Sequence, residues 1–385
     1  MTETIAEFLV SEPGTAVLRR GAKALTNAVD LTPELRAGAL TVLDGRERAR
    51  KRGWEEADQL FLTADALAQA SSTEVAAFHA RCFAECESVL DTCCGVGRDA
   101  LALAAAGKRV VAVDTDPARL VFARANARVL GLEEKIRFVC GDVTALTEIK
   151  ESEHCDGAFF DPARRDGHTR FSADSERYQP PLSFLQSLQT RHKIVVAKLS
   201  PALHEDTLAS LGGQLLFLSE ERTCKEACIV LGGEAGPARA LLLPSGESYE
   251  RGEEPFMADE LGAYLLDPDP GVIRAGALGA LADACQASLI ASTDMYLTAA
   301  EPSSRAAVRS YKIRVALPYR DRTLGRWLRE QGIGRLVVKK RHYPKEPEAV
   351  HKELGLRLGG KGTEATLVIV AQGKSWLGIV CDPVP

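Results

Sequence analysis

The chain has 385 residues, of which 45% are hydrophobic and 26% are charged, and its formal net charge is −5. This length predicts two or three domains, and the ordinary apolar content predicts a sizeable core. The sequence contains no run of about 18 apolar residues, which argues against a membrane span, and the negative net charge argues against a uniformly basic nucleic-acid-binding protein.

The first residues are acidic rather than basic, so no secretory signal peptide is expected. The ten cysteines form no regular framework, and we expect free thiols in a reducing cytoplasm. The pairs Cys82/Cys86 and Cys224/Cys228 are spaced four apart, but neither has the second pair that a zinc site requires. No metal site is therefore predicted.

Residues 1–85 predict an N-terminal helical region, because apolar residues recur at every third or fourth position. Thr32 and Pro33 are typical of a helix start. Thr63 precedes another helical pattern and is predicted to cap that helix.

The sequence pattern predicts that strands alternate with helices over residues 86–245, with a glycine turn after the first strand. Val89–Asp91 is a short apolar strand that ends in an acid, and Gly95 and Gly97 follow before an Ala/Leu-rich helical pattern. Glycine lets a backbone approach a ligand closely, and a side chain at Gly97 is expected to fill that space. A nicotinamide dinucleotide fits such a unit. However, the spacing from Asp91 to the glycines, an acid followed by three residues and then Gly-x-Gly, resembles motif I of the class I S-adenosylmethionine (SAM) methyltransferases.

Further strands are predicted at 109–114, 136–140, 156–160, 193–198 and 214–218, with 225–231 returning antiparallel and 238–243 as another candidate. Such alternation predicts a doubly wound α/β sheet with ligands at the carboxyl ends of its strands. Asp114 could accept hydrogen bonds from two ribose hydroxyls. Asp142 could accept one from an adenine amino group, with the Val143 N–H opposite the ring.

These motifs resemble the trimethylguanosine synthase-type methyltransferases. Nearly the whole chain resembles a bacterial group of class I SAM-dependent methyltransferases with C-terminal ferredoxin-like and THUMP-like parts. The segments that carry the resemblance are 91–97, 114–117, 125–127, 141–142, 264–276 and 338–341. The resemblance implies SAM as cofactor, bound by Thr63, Asp91, Cys94, Gly95, Gly97, Asp114, Thr115, Asp142 and Val143.

The segment after the fourth predicted strand, Asp161–Arg165, is the predicted reaction site. In amino-methyltransferases this position reads Asp/Asn-Pro-Pro-aromatic, and the aromatic ring stacks on a flipped base. Here Ala163 and Arg164 replace the second proline and the aromatic residue, and arginine can stack on a base or hold a phosphate. The candidate catalytic residues are Asp161, Pro162, Arg164 and Arg165.

Pyrimidine C5 methylation requires a cysteine that attacks the ring. The segments after the fourth and fifth predicted strands contain no cysteine, so direct displacement at an aligned methyl group is the expected mechanism. The loop 166–171 adds cations and an aromatic residue and is predicted to contact the substrate.

Residues 244–257 are rich in Gly, Glu, Pro and Ser and are predicted to be a linker. Beyond them we expect a ferredoxin-like region at 258–318, with a helix at 272–289, and a THUMP-like domain at 319–385. The predicted strands are 295–298, 311–317, 335–339 and 364–371, and the predicted helices are 323–331 and 347–354.

Residues 303–362 contain 16 Lys/Arg and 5 Asp/Glu, although the chain as a whole is acidic. This asymmetry predicts an anionic partner for the region, and the resemblance to THUMP domains points to RNA. Lys339, Lys340 and Arg341 are the densest part. The sequence therefore predicts a SAM-dependent methyltransferase that acts on structured RNA. Methylation of a protein or small molecule, and SAM binding without catalysis, remain alternatives, and no oligomeric state is predicted.

Overall fold

The computed structural model describes residues 1–148, 155–164, 178–355 and 362–384. By its internal contacts the chain divides into two compact units, Met1–Leu215 with Glu226–Gly236, and Leu216–Lys225 with Pro237–Pro385. Within the described ranges, no helix combines the length and the apolar character needed to cross a bilayer.

The first unit begins with six helices, all within the region that was predicted to be helical. They are α1 (Glu3–Val10), α2 (Glu12–Arg19), α3 (Gly21–Leu25), α4 (Pro33–Lys51), α5 (Ala64–Gln69) and α6 (Thr73–Cys82). The predicted cap of α5 is confirmed, since Thr63 Oγ1 accepts the Ala66 N–H at 3.1 Å. Leu9 and Val42 of this helical region share a buried apolar core with Phe122, which belongs to a later helix.

The strands of the next part of the chain are β1 (Ser88–Asp91), β2 (Arg109–Asp114), β3 (Ile136–Cys140), β4 (Gly157–Phe160), β5 (Ala163–Arg164), β6 (Tyr178–Gln179), β7 (Ile194–Leu199), β8 (Gln214–Glu220) and β9 (Thr223–Leu231). In the first unit, β3, β2, β1, β4 and β7 run parallel, side by side in that order, and β9 is antiparallel to β7. The short strands β5 and β6 pair with each other. Parallel pairing brings the carboxyl ends of the five parallel strands to one edge.

Helices join the successive strands of this sheet. They are α7 (Arg98–Ala105), α8 (Pro117–Val129), α9 (Phe184–Gln189) and α10 (Glu205–Ser210), with short 3-10 helices at Glu133–Lys135 and Val143–Glu148. The eight strands predicted between residues 86 and 245 are all present within two residues of their predicted bounds. The predicted alternation of strands and helices is therefore confirmed here.

The strands of the second unit after β8 are β10 (Arg239–Leu243), β11 (Ser248–Glu250), β12 (Tyr264–Pro268), β13 (Ser288–Leu289), β14 (Leu297–Ala299), β15 (Val308–Pro318), β16 (Ile333–Lys340), β17 (Thr363–Gln372) and β18 (Ser375–Pro383). Its helices are α11 (Pro270–Ala275), α12 (Leu278–Cys285), α13 (Asp321–Glu330) and α14 (Pro347–Glu353). Seven strands form one sheet in the order β13-β14-β12-β15-β18-β17-β16. Leu324 of α13 and Val350 of α14 are buried in a core with Leu367 of this sheet.

The second unit differs from the predictions in several places, and β12, β13 and β18 were not among the predicted strands. The predicted linker contains a strand, since Ser248–Glu250 pairs antiparallel with β10. The single helix predicted at 272–289 is two helices, because Gly276 ends α11 in the left-handed conformation at φ +66°. The regions 258–318 and 319–385 share one sheet, because β15 pairs with both β12 and β18.

Candidate active site

Acidic residues lie at the carboxyl ends of β1, β2 and β4, as predicted. We call Asp91, Gly95, Asp114, Asp161 and Lys198 the strand-end site, because all five lie at or next to the carboxyl ends of parallel strands. The strands that carry these residues are short and mostly buried, and the parallel sheet brings their carboxyl ends to the same edge.

Asp114 fixes the glycine turn that connects β1 to α7. Its Oδ2 accepts the Gly95 N–H at 2.8 Å, and its Oδ1 accepts the Asp116 N–H at 2.9 Å. Each carboxylate oxygen has a second lone pair, so both can accept another hydrogen bond from a ligand. The geometry is therefore compatible with the predicted contact between Asp114 and two ribose hydroxyls.

The two glycines of this turn have different environments. Both have positive φ angles, +55° for Gly95 and +90° for Gly97. A Cβ built on Gly95 meets no atom within 4 Å, whereas one on Gly97 lies 3.2 Å from Ala123 Cβ of α8. Gly95 therefore borders the open space, and Gly97 permits close packing of α8. A side chain at Gly97 would therefore press on α8, and the expectation that it also fills the ligand space stays a prediction.

Asp91 is a buried acid with an unsatisfied oxygen. Its side chain lies at the end of β1, and the residue is only 1% exposed. Oδ1 accepts a long 3.4 Å hydrogen bond from the Cys93 N–H, and Oδ2 has no partner among the described residues. Burial raises the pKa of Asp91 well above its usual range, and the negative charges of Asp99 and Asp161 raise it further. A cationic or hydrogen-bond-donating ligand would satisfy this oxygen.

The other predicted cofactor residues lie at the ends of β1, β2 and β3. Cys94 is buried and its N–H donates to Val113 O at 2.9 Å. Thr115 and Asp142 are exposed, and Asp142 Oδ1 accepts the Thr144 N–H at 2.8 Å. Val143 is buried. These residues thus lie at neighbouring strand ends. Asp142 also stabilises the turn after β3 through its hydrogen bond with the Thr144 N–H.

Asn126 of α8 links the Thr63 segment to the glycine turn. Its Nδ2 donates to Phe61 O at 3.0 Å and to Val96 O at 3.1 Å, and its Oδ1 accepts the Phe61 N–H at 2.7 Å. Asn126 is buried, so these bonds are shielded from water. These hydrogen bonds fix the backbone of Phe61 beside the glycine turn. Since Thr63 follows two residues later, it lies towards the predicted cofactor site.

Asp161 forms a short ion pair that sequence reasoning missed. Lys198 Nζ lies 2.7 Å from Asp161 Oδ2 and donates to Gln69 O at 3.0 Å. Burial raises the pKa of Asp161, although Lys198 opposes this shift. Burial lowers the pKa of Lys198, but nearby carboxylates, Asp161 first, raise it overall. A lysine within the apolar strand β7 was the signal that could have identified this residue.

The remaining predicted catalytic residues are only partly described. Pro162 is buried next to Asp161, and the Arg164 backbone pairs with Tyr178 in the small β5–β6 sheet. Arg165 and the loop 166–171 lie outside the described residues. Their predicted substrate contacts stay predictions.

The basic segment of β16 is paired with acids. Lys339 Nζ lies 2.9 Å from Asp267 Oδ2, and Arg341 Nη2 lies 3.0 Å from Asp267 Oδ1. Arg222 approaches the same carboxylate at 3.7 Å. We call these four residues the Asp267 cluster. Lys340 instead pairs with Glu346 at 2.9 Å, so each of the three predicted cations has an acidic partner.

Parts of the chain match two known families. Residues 86–165 match the RNA cap guanine-N2 methyltransferase family, and residues 308–383 match the THUMP domain-like family. A solved structure, a putative methyltransferase from Porphyromonas gingivalis W83, superimposes with a TM-score of 0.79 over 97% of this chain and 99% of that chain, at 21% identity. The fold is that of a class I methyltransferase with a THUMP-like C-terminal part. The predicted fold class and family resemblance are confirmed.

Curated relatives agree with this fold. Two Mycobacterium tuberculosis proteins, from strains CDC 1551 / Oshkosh and H37Rv, are each named an uncharacterised SAM-dependent methyltransferase. Each is 33% identical over 225 residues, which are 57% of this chain and 60% of the relative. The match thus spans less than two thirds of their length. An uncharacterised RNA methyltransferase of Parasynechococcus marenigrum is 38% identical over 78 residues, 20% of this chain and 16% of that protein.

Proposed function

We propose that the protein is a SAM-dependent methyltransferase that methylates a base in structured RNA. The strand-end site is the observation that carries this proposal. A Cβ on Gly95 would face open space, and the Gly95 N–H donates a hydrogen bond to Asp114. On the adjacent strand end, Asp91 Oδ2 has no hydrogen-bond partner among the described residues. The names of the tuberculosis relatives support SAM as the cofactor.

The residues of the strand-end site fit the chemical groups of SAM. Asp114 would accept hydrogen bonds from the ribose hydroxyls, and the buried Asp91 would face a cationic part of the cofactor, whose sulfonium activates the methyl group. Thr63, Cys94, Gly97, Thr115, Asp142 and Val143 complete the proposed cofactor site. Because SAM carries its own activated methyl group, the protein mainly has to align the acceptor with it.

Asp161 and Lys198 are proposed to orient the acceptor. The Lys198 ammonium favours the ionised form of Asp161, and a carboxylate can accept a hydrogen bond from the N–H of a base. Among the described residues, Pro162 follows Asp161 after β4, and Ser200 and Pro201 follow β7. None is a thiol nucleophile, so direct displacement remains the proposed mechanism. Pro162, Arg164 and Arg165 remain proposed reaction-site residues.

The charge of the second unit supports RNA as the substrate. The Asp267 cluster gathers three cations around one buried carboxylate, which leaves an excess of positive charge. The Arg341 guanidinium also lies over the Tyr296 ring at 4.5 Å, a contact that holds it in place. Phosphate groups are the anions that RNA offers to such a cluster. The similarity to the THUMP domain-like family points the same way.

Mass spectrometry of modified nucleosides tests the reaction. RNA from cells with and without the protein should differ by one methylated nucleoside, and the purified protein should restore it with SAM. The Asp161→Ala variant should bind SAM normally but fail to restore the modification. A methyl group that appears on protein or on a small molecule would support the first alternative. SAM binding with no transfer to any extract fraction would support a non-catalytic SAM-binding protein, which the replacement of the expected aromatic by Arg164 also favours.

Filter binding over a series of salt concentrations tests the RNA surface. The combined Lys339→Ala, Lys340→Ala and Arg341→Ala variant should bind RNA more weakly and with a shallower salt dependence, since phosphate contacts release counterions. Its fold must be checked by circular dichroism, because Lys339 and Arg341 also pair with Asp267. Arg335→Ala removes an exposed cation from the same strand and serves as the control. Unchanged affinity and salt dependence in the triple variant would remove the support for RNA.

A further inference from the structure

A buried bridge of three ionisable side chains lies within the first unit, and neither the motifs nor the proposed function involve it. His79 of α6 is completely buried. Its Nδ1 lies 2.8 Å from Asp99 Oδ1 of α7, and its Nε2 lies 2.6 Å from Glu226 Oε1 of β9. We call these three residues the His79 bridge.

The contacts of the bridge favour a protonated imidazole. An ionised carboxylate can only accept hydrogen bonds, so an imidazole between two carboxylates must carry a proton on both nitrogens. Burial lowers the pKa of His79, but the charge of Glu226 and the hydrogen bond to Asp99 raise it well above its usual range. Burial raises the pKa of Asp99, and the bond to His79 brings it below its usual range. An imidazolium between two carboxylates satisfies all three groups.

The bridge is connected to the strand-end site by several contacts. Asp99 belongs to the first turn of α7, directly after the glycine turn, and its Oδ2 accepts the Ser71 hydroxyl at 2.9 Å. The His79 ring lies 4.8 Å from the ring of Phe159, which is two residues before Asp161. The negative charges of Asp99 and Glu226 also act on Lys198, the partner of Asp161.

We propose that His79 is a positioning residue, which as an imidazolium holds Asp99 and Glu226 in place and thereby leaves Lys198 free to pair with Asp161. This inference rests on the proposed function for its catalytic consequence only. Without His79, the charges of Asp99 and Glu226 would lose the imidazolium between them and would act more strongly on Lys198, on which Asp161 acts as well. Asp161 would then share its partner, and its orientation and charge would change.

Among the described residues, the ionisable groups that face His79 lie on α6, α7 and β9, whereas β4 contributes the apolar ring of Phe159. These groups are Asp99 on α7, Glu226 and Cys228 on β9, and Cys82 on α6. Burial raises the pKa values of Cys82, to about 12, and of Cys228. Both thiols are therefore neutral near pH 7, and the charge of the bridge depends on His79 and its two acids.

The first test measures protonation in the wild-type protein. Nuclear magnetic resonance of ¹⁵N-histidine-labelled protein reports the state of each ring nitrogen, and His79→Gln identifies the His79 signals. We expect both His79 nitrogens to stay protonated at pH 8, because the pKa of His79 is raised well above its usual range. A neutral His79 ring at pH 7 would overturn the proposal. This result does not depend on any methyl transfer.

The second test measures the connection to Asp161. Titration of ¹³C-labelled aspartate carboxyls should show that His79→Gln raises the pKa of Asp161, whereas the control His204→Gln leaves it unchanged. If the protein methylates RNA, kcat of His79→Gln should fall about tenfold while the Kd for SAM changes less than about threefold. An Asp161 titration identical to wild type in the folded His79→Gln variant would overturn the positioning role, whether or not RNA is the substrate.

Discussion

Replacement of Asp114 is the sharpest test of the cofactor site. In Asp114→Asn one oxygen can still accept the Gly95 or the Asp116 N–H, but the new amide group faces the other donor. A lost hydrogen bond to a charged group costs about 1.5–3 kcal/mol. The ligand loses one of its two carboxylate acceptors as well. We therefore expect SAM affinity to fall about 10- to 100-fold in Asp114→Asn, and further in Asp114→Ala.

Calorimetric titration with SAM measures this effect, and thermal unfolding without ligand separates it from loss of the fold. Asp116→Asn is the matched control, because Asp116 lies in the same turn and caps α8 through the Ala118 N–H at 2.9 Å. This control should weaken the helix cap but not SAM binding. SAM affinity within twofold of wild type in folded Asp114→Asn and Asp114→Ala would refute the placement of the cofactor at the end of β2.

Two further predictions concern the strand-end site and its glycine turn, and a third concerns the His79 bridge. In Gly95→Ala the main effect should be weaker SAM binding, whereas in Gly97→Ala it should be a lower melting temperature, because the new Cβ meets α8. Calorimetric titration with SAM and thermal unfolding compare the two variants. Lys198→Met should raise the pKa of Asp161 and reduce single-turnover methyl transfer at neutral pH. The free energy of unfolding of the wild-type protein should exceed that of His79→Gln by its full amount below about pH 6.5. This difference should decline as the pH rises through the raised pKa of His79, and urea unfolding at several pH values measures it.

Local sequence signals were sufficient to locate the strands and the acids at their ends. The strands that end at Asp91, Asp114 and Asp161 are short apolar runs followed by an acid, and each is recognisable without knowledge of distant residues. The parallel arrangement then follows from the alternation of strands and helices. Thr63 was also recognisable as a helix cap from its neighbours alone.

Partners that are distant in sequence could not be predicted in this way. His79 and Glu226 are 147 positions apart, and only the completed sheet brings them within hydrogen-bond distance. Lys339 is 72 positions from Asp267. A count of charges along the sequence correctly identified the basic region. It could not show that Lys339 and Arg341 of that region form ion pairs with the buried Asp267. Side-chain pairing depends on tertiary structure, whereas composition and periodicity do not.

The two groups of buried charge favour ligands of opposite sign. At the strand-end site, the charges of Asp161 and Asp114 act on the buried Asp91, and Lys198 pairs with Asp161, so a cationic ligand relieves repulsion between the acids. In the Asp267 cluster, three cations surround one acid, so an anion relieves repulsion between the cations. SAM carries a cationic sulfonium and RNA carries phosphates. An acidic chain can therefore bind an anionic substrate, provided that its cations are concentrated in a unit other than the one that binds the cofactor.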